Sequence, residues 1–227
     1  MIVTIGSVKG GVGKSLTASN LAVLRAQAGK QVLIADGDDQ ETLSNWSDHR
    51  TALGIATPWT AVRLRGAALR SEILKLTGGY NDIIIDVGGR DTASLRAALT
   101  VSDIFVVPFR PSSFDIWTAG KVAEIIQEAK GLNDKLMVYA FINCAGVRGS
   151  DNDDAKNILA RVDGITLLST TVGQRKAFSN ATAEGLGVTE LKPIDKKACD
   201  EMWALHNAIF GIIKTLNKQK NDIKKTC

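Results

Sequence analysis

The sequence predicts an α/β domain with a doubly wound, mostly parallel sheet and helices on both faces. Two observations carry this. Short β-branched runs alternate with longer segments of helical periodicity, and most of the runs are apolar at every position rather than at every second one. A strand that is apolar throughout is buried on both faces, as in a parallel sheet covered by helices. A glycine-rich loop also follows the first run, at the carboxyl end of a strand, where open α/β sheets bind their ligands.

In chain order the expected strands are IVTI (2–5), QVLIAD (31–36), DIIID (82–86), DIFVVPF (103–109), LMVYAFIN (136–143) and ITLLST (165–170). Segment 13–29 sets Leu16, Leu21, Leu24 and Ala28 close to helical spacing, with Gly29 where a helix stops. Segment 113–131 has the same form, with Ile116, Val122, Ile125 and Ile126 as its apolar stripe and Gly131 as its stop. A further helix is expected over 198–218. No internal repeat, low-complexity tract or linker intervenes. Residues 1–217 therefore read as one domain and the basic run 218–227 as a poorly ordered tail.

A chain of 227 residues, 44% apolar and 23% charged, is long enough to bury a sizeable core. No stretch approaches the roughly 18 consecutive apolar residues of a membrane-spanning helix. The N-terminus lacks the basic lead and apolar core of a secretory signal and reads as a first strand, so a cytoplasmic location is expected. Cys144, Cys199 and Cys227 are too few and too scattered for a disulfide framework or a zinc site. The net charge of +4 is unevenly placed. From Lys192 to Cys227 there are eight lysines against four acids, so residues 1–191 are balanced. Such a segment is either a solvated helix face or a contact for nucleic acid.

The stretch SVKGGVGKSLTA (7–18) carries the chemistry. Gly10, Gly11, Val12 and Gly13 let the backbone turn tightly enough for its N–H groups to surround a phosphate. Lys14 can reach the outer phosphates, the Ser15 hydroxyl can ligate Mg²⁺, and the helix through Leu16 adds its positive end. The strict phosphate-loop pattern asks for glycine where this chain has Val8. Carboxylates stand where such a site needs them. DIIIDVGG ends an apolar strand in Asp86, suited to hold Mg²⁺ through water, and QVLIADGDDQ ends in Asp36, Asp38 and Asp39. Asp38 is expected to act in catalysis, Asp36 to support the metal and Asp39 to cap the following helix.

With KGGVGKS, VLIADGDDQ and DIIIDVGG together, the chain resembles the ParA/MinD family of deviant Walker ATPases, most closely the short plasmid-partition ParA proteins. The family also contains the nitrogenase iron protein. The resemblance runs through SDIFVVPFRPSSFDIWTAGKV to TTVGQRKAFSNATAEGLGVTEL, nearly the whole chain. It implies a P-loop NTPase fold, slow ATP hydrolysis with Mg²⁺, and a homodimer closed over ATP. Lys9 would be the deviant lysine that crosses the dimer to the partner's nucleotide. Lys14 and Ser15 would bind phosphate and Mg²⁺, Asp38 would place the hydrolytic water, and Asp86 would sense metal and γ-phosphate. Asn143 matches the family's asparagine near the adenine. Three departures fall at Asp39, where the family usually has proline, at Leu16, where a threonine is common, and at the Gly88–Gly89 pair.

The resemblance further implies an ATP-bound dimer that binds DNA without sequence preference, lies on the nucleoid, and is stimulated by a ParB-like or small centromere-binding adaptor. Candidate DNA contacts are Arg175, Lys176, Lys214, Lys218, Lys220, Lys224 and Lys225. The alternative is a MinD-like positioning ATPase acting on a membrane or a protein cargo. Membrane attachment would need the stripe Trp203, Ile209, Phe210, Ile213 and Leu216 to face lipid, whereas a last helix packed on the sheet explains the same residues.

Overall fold

The computed structural model describes residues 1–89, 92–111, 119–147 and 150–226, with side chains described up to residue 211. Seven parallel strands form one sheet in the order β3-β2-β4-β1-β5-β6-β7. β1 (Ile2–Gly6) lies at its centre, between β4 (Asp82–Val87) and β5 (Ile104–Phe109). Beyond β4 come β2 (Val32–Asp36) and the edge strand β3 (Trp59–Arg63), and beyond β5 come β6 (Met137–Ala145) and β7 (Thr166–Gly173). β1, β2, β4 and β5 are buried at every position, as their unbroken apolar runs predict.

Two apolar cores cover the two faces. One gathers α1 (Lys14–Gln27), α2 (Thr42–Ala52), α7 (Lys176–Ala183) and the last helix α8 (Lys196–Thr226), through Leu21, Leu24, Trp46, Phe178, Leu205 and Phe210. The other gathers α3 (Ala68–Leu76), α4 (Thr92–Leu99), α5 (Ala119–Leu132) and α6 (Asp151–Leu159), through Ile73, Leu99, Ile126 and Leu159. In α8, Ile209 and Phe210 of the stripe considered for a membrane are buried on the sheet beside Met202 and Leu205, whereas Trp203 is exposed. The side chains of Ile213 and Leu216 lie outside the described residues, as does Ile116 of the stripe expected over 113–131. No described helix is long and apolar enough to cross a membrane. The α8 backbone continues through the segment expected as a tail to Thr226, since no glycine or proline follows Gly211.

Strand β3 was not expected. Only Trp59 among its five residues is buried, because an edge strand needs no apolar run. It brings Arg63, and Arg65 just beyond it, to the carboxyl end of the sheet, with Arg63 in register with Asp36.

Candidate functional site

The site lies beyond the carboxyl ends of β1, β2 and β4. Gly13 caps α1 in the left-handed region, at a φ of 92°, where a side chain would be strained. A Cβ there would also collide with the Asn143 amide. That amide donates to the Val12 carbonyl at 2.7 Å, so Asn143, 131 residues away, buttresses the loop from β6. Gly10, Gly11, Gly13, Lys14 and Ser15 line a cavity of about 370 Å³, together with Asp38, Gln40, Thr42 and Gly89. This cavity and the first turn of α1 make an anion site of backbone amides and one buried lysine. Lys14 Nζ stands 3.9 Å from Asp38 Oδ2. Lys9, half-buried with its own amide donating to Ser7 Oγ at 3.3 Å, is not among the lining residues.

The carboxylates divide by what they touch. Asp36 and Asp86 are register partners on β2 and β4 and sit side by side. The two oxygens of Asp36 accept from the amides of Asp38, at 3.1 Å, and Ser44, at 2.7 Å. Asp36 thus anchors the start of α2 and the Asp38 loop, the helix-end role that the sequence suggested for Asp39. Burial pushes its pKa up. Asp39 is exposed and pairs instead with Arg65 Nε at 3.7 Å, while Glu41 precedes α2 with a φ of 50°. Asp86 is fully buried, and neither carboxylate oxygen has a hydrogen-bond partner among the described residues. Burial pushes its pKa up to about 7, and Asp36 and Asp38 add repulsion. The Ser15 hydroxyl and Lys14 pull the other way, Ser15 without reaching full hydrogen-bond geometry. A buried, unpartnered carboxylate facing a hydroxyl is a donor set suited to a hard divalent cation with water.

The glycine pair after β4 has a steric reason. A Cβ on Gly88 would lie 2.6 Å from the Asp38 carboxyl carbon, and one on Gly89 would strike the backbone of Val8. Glycine at 89 therefore lets the phosphate loop close against the end of β4, and glycine at 88 leaves room for the Asp38 carboxylate. The sequence reading also missed Gln40 and Thr42, which follow Asp38 into the cavity, and Arg63 and Arg65. The alternation in WTAVRLR was the available signal for the arginines.

A second cavity of about 460 Å³ shares Gly13 and Leu16 with the first and extends to Asn143, Gly173, Arg175 and Phe178. Asn143 thus borders the space next to the phosphate loop where a nucleoside would lie, near a break in the β6–β7 register. Arg175 and Lys176, the candidate DNA contacts, line this cavity; Lys176 is exposed, and Arg175 is held by Glu201 of α8. The side chains of Lys214, Lys218, Lys220, Lys224 and Lys225 lie outside the described residues.

The chain also resembles known proteins over most of its length. The family model for the CobQ/CobB/MinD/ParA nucleotide binding domain matches residues 3–188. A maintenance of carboxysome distribution protein A from Halothiobacillus neapolitanus is 26% identical over 208 residues, covering 91% of this chain and 94% of that protein. A putative plasmid partition protein from Borrelia burgdorferi, solved with AMPPNP, shares the fold with a TM-score of 0.72, at 19% identity and 92% and 97% coverage of the two chains. Apo McdA from Cyanothece shares it with a TM-score of 0.75, at 18% identity and 92% and 98% coverage.

Proposed function

The chain belongs to the CobQ/CobB/MinD/ParA family of nucleotide-binding domains, and we propose that within it this ATPase is a ParA-type positioning protein that partitions DNA. In this reading an ATP-bound homodimer binds DNA without sequence preference in the cytoplasm, on the nucleoid. A ParB-like or small centromere-binding adaptor then stimulates hydrolysis. The observation that carries the nucleotide chemistry is Asp86, buried without a partner beside Ser15 at the edge of the phosphate cavity. Mg²⁺ ligated by the Ser15 hydroxyl and held through water by Asp86 would offset phosphate charge. Lys14 and the loop amides hold the phosphates in place. Asp38, 3.9 Å from Lys14 and open to the cavity, orients the attacking water.

Lys9 stands at the outer edge of a loop whose inner side is already lined by Lys14 and backbone amides. Its ammonium meets the phosphates of a facing subunit, as an arginine finger would. Only the triphosphate offers that contact, so hydrolysis separates the subunits. The test is Lys9→Ala, followed by nucleotide binding and light scattering with ATP and Mg²⁺. ATP binding should survive and ATP-dependent dimerisation should vanish; a persisting dimer would sink this role.

A second reading, protein-compartment cargo, draws support from the similarity to the carboxysome-distribution protein over 91% of the chain. Deleting the gene separates the two. Loss of a plasmid or misplaced chromosomes supports DNA cargo, whereas clustered protein compartments with normal DNA inheritance support the second reading.

A further inference from the structure

The turn between β7 and α7 forms one wall of the cavity that adjoins the phosphate loop, and a residue of the last helix holds it. Glu201 Oε2 accepts from the Gly173 amide at 3.0 Å and from Arg175 Nε at 3.0 Å, while Oε1 accepts from Arg175 Nη2 at 2.5 Å. Both side chains of the ion pair are about three-quarters buried, at 24% and 22% exposure. The Arg175 side chain lies over Gly173, where an added Cβ would stand only 3.2 Å from Nη2. A planar cation is thereby fixed at the wall of the space beside Gly13, which Asn143 also lines. None of these contacts touches the residues that line the phosphate cavity alone.

We propose that Glu201 is a positioning residue for the nucleoside half of the ligand, acting through Arg175 and the Gly173 amide. Nucleoside binding and the docking of α8 are then thermodynamically linked. Each favours the other by the same factor. This inference rests on the nucleotide-binding reading of the two adjoining cavities.

The test compares ATP with inorganic tripolyphosphate, which carries the phosphates and no nucleoside, by calorimetry on the full-length chain. Glu201→Ala should weaken ATP binding about ten-fold, the loss expected for a charged hydrogen-bond network, and leave tripolyphosphate within about two-fold. Arg175→Ala should follow the same pattern, and Glu201→Gln should fall between wild type and alanine. If Glu201→Ala fails to fold, as circular dichroism would reveal, Arg175→Ala and Glu201→Gln decide. Equal losses for both ligands, or no loss for either, would overturn the positioning role. A wild-type chain that binds neither compound would instead overturn the nucleotide reading, and this role with it.

Discussion

Burying a carboxylate without a hydrogen-bonding partner is costly, and Asp86 is held that way at the bottom of the site. The folded chain lowers the cost by keeping the group protonated, with a pKa raised from 3.8 to about 7. The sign follows. Between those values the unfolded chain releases this proton and the folded chain keeps it, so this group's contribution to stability falls as pH rises through the window. Asn at the position stays neutral throughout. Thermal unfolding of the metal-free chain should therefore show Asp86→Asn gaining on wild type from pH 4 to 7, and parallel curves would contradict the raised pKa. Gly88 makes a second residue-scale prediction. Its missing Cβ leaves room for the Asp38 carboxylate, so Gly88→Ala should displace Asp38 and lower kcat by about ten-fold or more while nucleotide binding persists. Steady-state kinetics with a binding titration would check this. Asp86 was legible because it stands at the end of an apolar strand, and Asp38 because it follows one by two residues. The steric need for Gly88 was not, since it arises from a loop fifty residues earlier.

At the scale of elements, the loop from Asp38 to Glu41 joins β2 to α2 and is fastened from the edge of the sheet. Glu41 adopts a left-handed backbone that costs a non-glycine residue on the order of 1 kcal/mol. Its carboxylate is held by Arg65 at 2.6 Å and Arg63 at 3.2 Å, while Arg63 also meets Asp48 at 2.5 Å. Arg65 further reaches Asp39, where the ParA/MinD resemblance implies a proline. Proline would stiffen this loop by fixing φ, and here an ion-pair network does so instead. Single exposed pairs contribute about 0–1 kcal/mol, and salt screens them. Arg65→Ala should accordingly lower kcat by about three-fold with KM for ATP unchanged, and added salt should narrow the gap to wild type. A change confined to KM would refute this. The edge strand that supplies these arginines escaped the sequence reading because its pattern is polar, whereas the buried strands announced themselves by composition.

For the whole molecule, the sheet separates two apolar cores, and its central strand delivers the phosphate loop where neighbouring strands run off to either side. The excess positive charge gathers at one end of the chain, in and before α8. If that end meets DNA, replacing Lys218, Lys220, Lys224 and Lys225 with Gln should weaken ATP-dependent binding. The salt slope should then fall by about one for each phosphate contact removed. Unchanged affinity and slope in a filter-binding series would mark the segment as solvated only. The sequence by itself determined the fold class, the phosphate loop and the two strand-end acids, because each is a local pattern of spacing and polarity. The tertiary structure decided how the acids share the site, with Asp36 spent on backbone amides and Asp86 left without a partner. It also moved Asp39 from a cap to an ion pair, and set Arg175 against Glu201 at the cavity beside the phosphate loop. These depend on which residues the sheet order brings together across gaps of up to 131 positions, and no local pattern records such neighbours.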